Sequence, residues 1–269
     1  MIGNNYNKKS GQALLIIVLL LAVLLTVVLS VSFTSKTETQ LTKLEEDNQK
    51  ALAAAESGIE YALKQGGVPK LSSLPGLSQF TGSVNITQSQ ASTFLTPALA
   101  QNDQYTLYLT KYDNSSNSFS GNYSGGDITI YYGNSSYICN NIVLEIAVLN
   151  GTYPNYSVRR WVADVGNKLG VNTKNNIGHQ ISKTTFDGVD FYCDTDPVPI
   201  ASVSDAKLLI ARTLYSSTKL YFQAGSGGVF PEQGRYLNST ASTQTGVTKS
   251  IQLFQSYPQI PSNFFTSIF

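Results

Sequence analysis

The side chains best suited to hold a metal ion lie in one short acidic segment of the sequence. The segment reads DGVDFYCDTD and carries carboxylates at Asp187, Asp190, Asp194 and Asp196. Alternating carboxylates on a loop are typical ligands of calcium. Their spacing differs from that of an EF-hand loop, so two interpretations stay open: a calcium site, and a solvated acidic turn, which the spacing favours.

The chain has two cysteines, Cys139 and Cys193. Both fall in the part that the charge pattern described below places outside the cell, where a single pair most simply forms a disulfide. Such a bond would close a loop of about 50 residues and stabilise the fold by at most roughly 4 kcal/mol. Two buried free thiols are the alternative, because pairing requires the two Cα atoms to lie within about 7 Å of each other.

No arrangement of side chains predicts catalysis. His179 is the only histidine, and its spacing to serines and carboxylates identifies no catalytic triad. The glycine-rich run from Gly225 to Gly228 lacks the lysine and the following helix of a phosphate-binding loop and reads as a turn. We therefore expect a protein that is not an enzyme and, apart from the calcium interpretation, no cofactor.

Composition excludes further classes of protein. The 269 residues have a net charge of +1 and only 13% of them are charged, against about 25% in ordinary soluble proteins. A chain this neutral cannot neutralise a row of phosphates, which argues against a nucleic-acid partner. One histidine and two cysteines leave almost no ligands for a zinc or haem site.

The apolar residues are concentrated near the N-terminus. Ala13–Leu29 reads ALLIIVLLLAVLLTVVL, and with the residues up to Phe33 it reaches the roughly 20 apolar positions that a membrane span needs. Lys8 and Lys9 precede the run. The positive-inside rule then predicts a single-pass protein with residues 1–11 in the cytoplasm and the chain after about Thr34 outside.

Three interpretations of the apolar run compete. A cleaved secretory signal could end near Ser30–Ser32, but its apolar region would be shorter than this one. A static signal anchor is the second interpretation. The third depends on the short basic leader, which ends in Gly11 and meets the apolar run at Gln12.

The residues after the run predict that the helix continues. Thr37–Lys64 contains no proline, and Gly58 is its only glycine. Apolar residues recur there at helical spacing and predict one buried face: Leu41, Leu44, Leu52, Ala55, Ile59 and Ala62 or Leu63. We expect one helix from Gln12 to the stop at Gly66-Gly67, about 80 Å long.

Two stretches, KKSGQALLIIVLLLAVLLTVVLSV and KALAAAESGIEYAL, together resemble the N-terminus of type IV pilin-like proteins. The match is closest to PilX-type minor pilins and to K-type minor pseudopilins of type II secretion. The resemblance implies cleavage by a prepilin peptidase after Gly11 and N-methylation of Gln12. It also implies an apolar helix that leaves the lipid bilayer to pack in a filament at the cell surface. The implied partners are other pilin or pseudopilin subunits, the prepilin peptidase and an inner-membrane assembly platform.

One position departs from the family pattern. Major pilins carry a glutamate at the fifth mature position, where this sequence has Ile16. K-type pseudopilins also lack this glutamate and sit at the filament tip. They are known for calcium, so the resemblance adds some weight to the calcium interpretation of the four aspartates. The departure favours a minor, tip-located subunit over a major pilin. The alternative function is a membrane-anchored surface binding or adhesion module that does not polymerise.

The remaining sequence predicts a β-rich domain. Short runs rich in β-branched and aromatic residues predict strands over Tyr105–Thr110, Asp127–Tyr132, Asn141–Leu149, Ser157–Val162, Leu208–Leu214, Lys219–Phe222 and Val247–Phe254. Residues 207–222 read as a hairpin around Ser216-Ser217. The aromatic C-terminal tail is expected to cover the sheet edge or bury a face of the helix, or else to contact another subunit, and packing in the core is favoured. Its aromatic residues are Phe254, Tyr257, Phe264, Phe265 and Phe269.

The predicted fold class is α+β, with a long N-terminal helix packed on an antiparallel sheet. The predicted organisation has four parts: residues 1–11 as leader, 12–33 as the transmembrane half of the helix, 34–65 as its amphipathic half, and 66–269 as the extracellular domain.

Overall fold

A computed structural model describes residues 10–88, 90–113, 116, 118–121, 123–170 and 176–261. The chain divides into two compact units. Unit 1 comprises the chain up to Asn85 together with Leu237–Leu253. Unit 2 comprises Ile86–Tyr236 and the chain from Phe254 onward. Residues 1–9 of the predicted leader lie outside the described residues.

The first element is a single helix, α1, over Ser10–Gln65. No glycine or proline occurs between Gln12 and Ser57, so nothing in the backbone interrupts the helical hydrogen bonds. The helix ends at Gly66, which adopts φ +68° and donates its N–H to the carbonyl of Ala62 at 2.9 Å. A glycine in the left-handed region is a common helix stop, because it lacks the Cβ that opposes this conformation.

Fourteen strands and one further helix follow. In chain order they are β1 Thr81–Thr87, β2 Thr93–Leu95, β3 Gln104–Tyr108, β4 Lys111–Asp113, β5 Ser118–Ser120, β6 Ile128–Tyr132, α2 Ser136–Asn141, β7 Val143–Thr152, β8 Asn155–Ala163, β9 Gly178–Phe186, β10 Val189–Thr195, β11 Ala206–Leu214, β12 Tyr221–Ala224, β13 Gly234–Ser242 and β14 Thr248–Ser256. Single 3₁₀ turns lie at Leu71–Ser73 and Ile200–Ser202.

The described strands form four sheets. A three-stranded sheet has the order β1-β13-β14, and β4 pairs with β5. Unit 2 contains a four-stranded sheet, β3-β11-β7-β8, and a five-stranded sheet, β2-β12-β6-β10-β9, and all neighbouring strands in these two sheets are antiparallel. One hydrophobic core joins these two sheets, with Leu107, Ile130, Ile146, Leu209 and Phe222 among its fully buried members. The architecture is α+β with antiparallel sheets, as the sequence predicted.

The strand positions agree with the seven predicted runs, but one predicted pairing is wrong. The sequence reads residues 207–222 as a hairpin, whereas β11 pairs with β3 and β7, and β12 pairs with β2 and β6. The reason is burial on both faces: most of β11 is buried, so it takes a central position between two strands distant in sequence. Tyr215 then turns the chain away with φ +69°.

The outer edge of β3 is covered by side chains instead of a strand. Gln233 accepts a hydrogen bond from the Tyr108 N–H and donates one to the Tyr108 carbonyl, both at 2.8 Å. Gln259 does the same at Thr106, at 2.7 and 3.4 Å. The carbonyl of Pro258 accepts from the Tyr108 hydroxyl at 2.7 Å. The described part of the tail therefore covers a sheet edge, one of the roles its sequence predicts.

Candidate functional site

The most unusual surface of the described chain is the N-terminal part of α1, Leu14–Phe33, here called the apolar half. Every large apolar side chain in it is exposed, with between 47% and 68% of its surface accessible, and none of the segment is buried in the fold. A helix that is apolar on all sides is stable in water only when something else covers it. The helix is long and apolar enough to cross a membrane.

One hydroxyl inside the apolar half and one just beyond it are bonded to the backbone of the same helix. The Thr26 hydroxyl donates to the Val23 carbonyl at 2.7 Å, and the Thr34 hydroxyl donates to the Ser30 carbonyl at 3.0 Å. Such bonds let hydroxyls enter an apolar solvent without an unpaired donor. The segment of about 20 residues rises about 30 Å, which matches the hydrocarbon thickness of a bilayer.

The C-terminal part of α1 packs through small residues, here called the packed stripe: Ala51, Ala54, Ala55, Gly58, Ile59 and Ala62. Gly58 marks the closest approach. A Cβ built there would lie 2.6 Å from Leu71 Cδ2, 2.9 Å from Val84 Cγ2 and 2.8 Å from Ser239 Oγ. Because β1 and β13 supply two of these atoms, the helix backbone sits directly on the three-stranded sheet.

The buried face predicted for this part of the helix is wrong in its first half. Leu41, Leu44 and Leu52 are exposed by 60%, 50% and 42%, whereas Ala55, Ile59 and Ala62 are buried as predicted. Helical spacing identifies a face but not where the sheet beneath it begins. Among the described side chains of α1, full burial begins at about Ala51, and the side chains buried from there on are mainly small.

The residues of the predicted processing site lie at the start of α1. Gly11 and Gln12 belong to the helix, and the Gln12 side chain lies outside the described part. Ile16, at the position where a major pilin has its glutamate, is 59% exposed. The structure thus places an apolar side chain on the free surface of the helix at this position.

The two cysteines form a disulfide, as predicted. Cys139 on α2 and Cys193 on β10 are bonded, with their Cα atoms 5.5 Å apart and 54 residues apart in sequence. Both side chains are fully buried. The bond fastens the short helix α2, whose N-terminus is capped by the Ser135 hydroxyl accepting from the Ile138 N–H at 3.1 Å, to the five-stranded sheet.

The acidic segment is a β-hairpin and not a metal-binding loop. Asp187 and Gly188 form its turn with φ +49° and +76°, the left-handed pair that two-residue hairpins favour. Asp190 accepts hydrogen bonds from Lys183 at 2.8 Å and Thr185 at 2.7 Å, which lower the pKa of its carboxyl. Burial raises the pKa of Asp194.

The four aspartates therefore do not converge. Asp196 Oδ1 lies 2.8 Å from His179 Nε2, a contact that is an ion pair only when the imidazole is protonated. Among the described residues, no three histidine, cysteine or acidic side chains are close enough to hold a metal ion together. The geometry gives no basis for the calcium interpretation.

His179 lies on an exposed strand. More than half of its side chain and of the Asp196 side chain is accessible. Within the described chain its ring bonds only to Asp196, so no hydroxyl or thiol is positioned for activation. This geometry adds no support for catalysis by His179.

Two concave surfaces in unit 2 are not predicted by the sequence. One is a broad groove of about 750 Å³ that Tyr112, Arg235 and Tyr257 help to line. The other is a smaller groove of about 310 Å³ along β2. Neither follows a spacing pattern, because each brings together residues from distant parts of the chain.

No protein-family model and no curated protein sequence matches this chain.

Proposed function

We propose that the chain is a minor, tip-located subunit of a type IV pilus or of a related secretion pseudopilus. It is made as a single-pass membrane precursor and processed after Gly11. The observation that carries the proposal is the continuity of α1. One uninterrupted helix has a fully exposed apolar half and a packed stripe seated on a β-sheet.

Anchoring in a bilayer is the first step of the proposed function. The apolar half has the length and the composition of a membrane span. Lys8 and Lys9 in the leader favour a cytoplasmic N-terminus. The Cys139–Cys193 disulfide supports an oxidising compartment for the rest of the chain, because such bonds persist mainly outside the cytosol.

Assembly is the second step, and it explains why the helix does not stop at the membrane surface. A secretory signal or a simple anchor has no need to continue as the helix that seats the folded domain. In a pilin-like subunit the same apolar surface suits lipid and neighbouring helices alike, because helices associate in lipid through packing and not through the hydrophobic effect. Removal of the charged leader would free that surface to leave the bilayer.

The proposed minor role depends on Ile16. A carboxylate in the bilayer is costly and is retained only for a function, such as pairing with a neighbour's N-terminal amine. With isoleucine at this position and its side chain exposed, a repeated pairing of this kind is not available. A subunit added once, at the tip, does not need it.

The decisive experiment is to identify the N-terminal residue of the mature protein by mass spectrometry. We expect a start at Gln12 carrying a methyl group. Replacing Gly11→Val should block processing and leave the leader in place, whereas the matched change Gly3→Val elsewhere in the leader should leave processing intact. A start near Phe33 would indicate a secretory signal, and an intact Met1 a static anchor; both results would contradict the proposal.

A second measurement separates a filament subunit from an anchored surface module. Gold-labelled antibody against unit 2 should mark filament ends in wild-type cells, at a few copies per filament. Label spread over the cell surface and absent from filaments would favour the non-polymerising module. Label along whole filaments would indicate a major subunit and contradict the role assigned through Ile16.

A further inference from the structure

The free edge of β2 in unit 2 has unused backbone hydrogen-bonding groups. On its inner side the Thr96 N–H donates to the Leu220 carbonyl at 2.9 Å, and the Ala224 N–H donates to the Ser92 carbonyl at 2.8 Å. Residues alternate in an antiparallel ladder, so the N–H and C=O groups of Thr93 and Leu95 point away from β12. Within the described chain no hydrogen bond reaches these outward groups, and β2 is the edge strand of its sheet.

Beside β2, one residue already occupies the position that a neighbouring strand would take. Phe230 bridges Ala91 in antiparallel fashion, with its N–H donating to the Ala91 carbonyl at 2.8 Å. Ala91 belongs to the same outward series as Thr93 and Leu95. The chain then leaves β2 through Pro231 and opens the groove of about 310 Å³ that runs beside the two unpaired residues. We call this the β2 groove.

The walls of the β2 groove are aromatic. Phe94 and Phe254 have ring centroids 6.0 Å apart, and Tyr236 lies 4.8 Å from Phe254. Tyr236 is 36% exposed and Phe254 is half-buried, so a ligand side chain would cover aromatic surface that water now contacts. Burial of apolar surface of this kind favours binding.

One carboxylate lies at the rim of the groove. Asp187 occupies the turn between β9 and β10, is exposed, and lines the same groove. Unlike Asp190 and Asp196, it has no ion pair within the described chain. The groove therefore offers a negative charge beside an apolar wall and an open strand edge.

We propose that the β2 groove binds an extended peptide segment of a partner protein, which adds to the five-stranded sheet as a strand next to β2. The outward groups of Thr93 and Leu95 supply the main-chain bonds, as in other cases of strand addition. Side chains of a strand alternate between its faces. An apolar side chain of the peptide packs against Phe94, Tyr236 and Phe254, and a basic residue pairs with Asp187. This proposal does not depend on how α1 is processed.

The test uses the full-length chain in detergent micelles and a random linear heptapeptide library displayed on phage. The most enriched peptide is synthesised and used as the probe, and its Kd is measured by fluorescence anisotropy. We expect enriched sequences to combine apolar residues with lysine or arginine. Failure to enrich any sequence above the micelle-only control would overturn the proposal.

Backbone methylation of the probe tests strand addition itself. In an antiparallel or parallel pair only alternate N–H groups face the neighbouring strand. N-methylation at one alternating set of positions should weaken binding at least about tenfold, the loss expected for a hydrogen bond of roughly 1.4 kcal/mol. Methylation at the other set should change Kd little. Equal effects of the two sets contradict addition to β2.

Variants of the protein test the side chains of the groove. Tyr236→Ala should weaken the probe about tenfold, as for an aromatic anchor of an interface. Asp187→Asn should weaken a basic probe about threefold and remove its salt dependence, whereas the matched change Asp196→Asn should leave Kd unaltered. If Asp187→Asn and Asp196→Asn act alike, Asp187 does not recognise the peptide.

Amide hydrogen exchange locates the bound peptide. Saturation with the probe should protect the amides of Thr93 and Leu95 and leave those of Thr106 and Tyr108 unchanged. Protection confined to other residues, including those of the broad groove near Tyr112, would place the peptide elsewhere and reject the proposal.

Discussion

The edge strands of the two larger sheets in unit 2 are treated in opposite ways. At the edge of β3, the outward groups of Thr106 and Tyr108 are hydrogen-bonded by the amides of Gln259 and Gln233. At the edge of β2, the outward groups of Thr93 and Leu95 meet a groove. An unpaired edge is a template for association with another chain. One edge is closed by the chain's own side chains, and the other is available to a partner.

The comparison shows that an edge can be closed without a further strand. A glutamine side-chain amide carries two N–H donors and one carbonyl acceptor, so one N–H and the C=O can pair with a peptide group as a neighbouring strand would. Gln233 pairs in this way with Tyr108, and its amide nitrogen also donates to the Pro231 carbonyl at 2.8 Å. Because the amide pairs with only one residue of β3, it satisfies the edge there and offers no strand edge of its own.

The largest loss of stability is expected for a substitution at Gln233, which is only 5% exposed. Replacing Gln233→Ala leaves the Tyr108 N–H and C=O without partners, and each buried unsatisfied group costs about 1–3 kcal/mol. We expect a loss of about 3 kcal/mol in the free energy of unfolding of unit 2. Urea titration followed by the fluorescence of Trp161, the single tryptophan, measures it. Gln88→Ala, at an exposed glutamine, is the control and should lose less than about 0.5 kcal/mol.

A proline at each edge compares the two edges directly. Thr106→Pro removes an N–H that donates to Gln259 and should destabilise unit 2 by about 2 kcal/mol. Thr93→Pro removes an N–H that has no hydrogen-bond partner within the described chain, and an edge strand tolerates proline there. Its cost should stay below about 0.5 kcal/mol, while the affinity for the peptide probe falls. Equal losses from the two prolines would remove the distinction between the edges.

The closed edge also predicts a dependence on alkaline pH. Burial raises the pKa of Tyr108 to about 12, above the ordinary value of about 10, and its hydroxyl bonds the tail at Pro258. A pKa raised in the folded state gives stability that is complete below about pH 10 and is lost as the pH rises towards 12. Tyr108→Phe should lower stability by about 1 kcal/mol at pH 8 and should lose less than the wild type between pH 8 and pH 11. Tyr215→Phe, at an exposed tyrosine, should behave as the wild type, and a parallel decline for Tyr108→Phe would contradict this role.

The smallest effect is expected at Gln259, which is only half-buried. Gln259→Ala lets water reach the Thr106 amide, so the loss should be about 0.5–1 kcal/mol. Hydrogen exchange is the sharper measurement, because the Thr106 amide should exchange faster while the Tyr108 amide, held by Gln233, keeps its protection. Unchanged exchange at Thr106 would show that Gln259 does not close the edge.

The sequence predicts those parts of the fold that depend on neighbours in the chain. A long run without proline gives α1, and β-branched runs give strands such as β7 and β11. The pairing of β11 was missed because the choice between β12 and the distant β3 and β7 depends on the core that all of them share. The hairpin of β9 and β10 did carry a local signal, the Asp187-Gly188 pair, and the sequence favoured an acidic turn there over a calcium site without predicting the two strands.

The candidate sites divide in the same way. The apolar half of α1 and the cysteine pair are visible as residue types at a spacing, and the structure confirms the exposed apolar helix and the disulfide. Gln233 and Gln259 are ordinary polar residues until the fold brings them to β3. Of the predicted helix face, the three leucines are exposed, whereas Ala55, Ile59 and Ala62 are buried. How closely the sheet approaches the helix depends on residues distant in sequence, so helical spacing alone could not predict it.

The seat of Gly58 has a mechanical consequence. Three elements contribute the side chains that fill the space a Cβ at Gly58 would need: Leu71, Val84 and Ser239. The helix therefore fits its sheet at one position along its axis. A force that pulls on the N-terminal end of α1 is transmitted along an unbroken helix. At Gly58 it acts as shear between the helix and the three-stranded sheet. Sliding of the helix would bring a residue with a Cβ, such as Ala55 or Ala62, to the place where only glycine fits. A helix held in this way can bear tension while the three-stranded sheet beneath it stays in register.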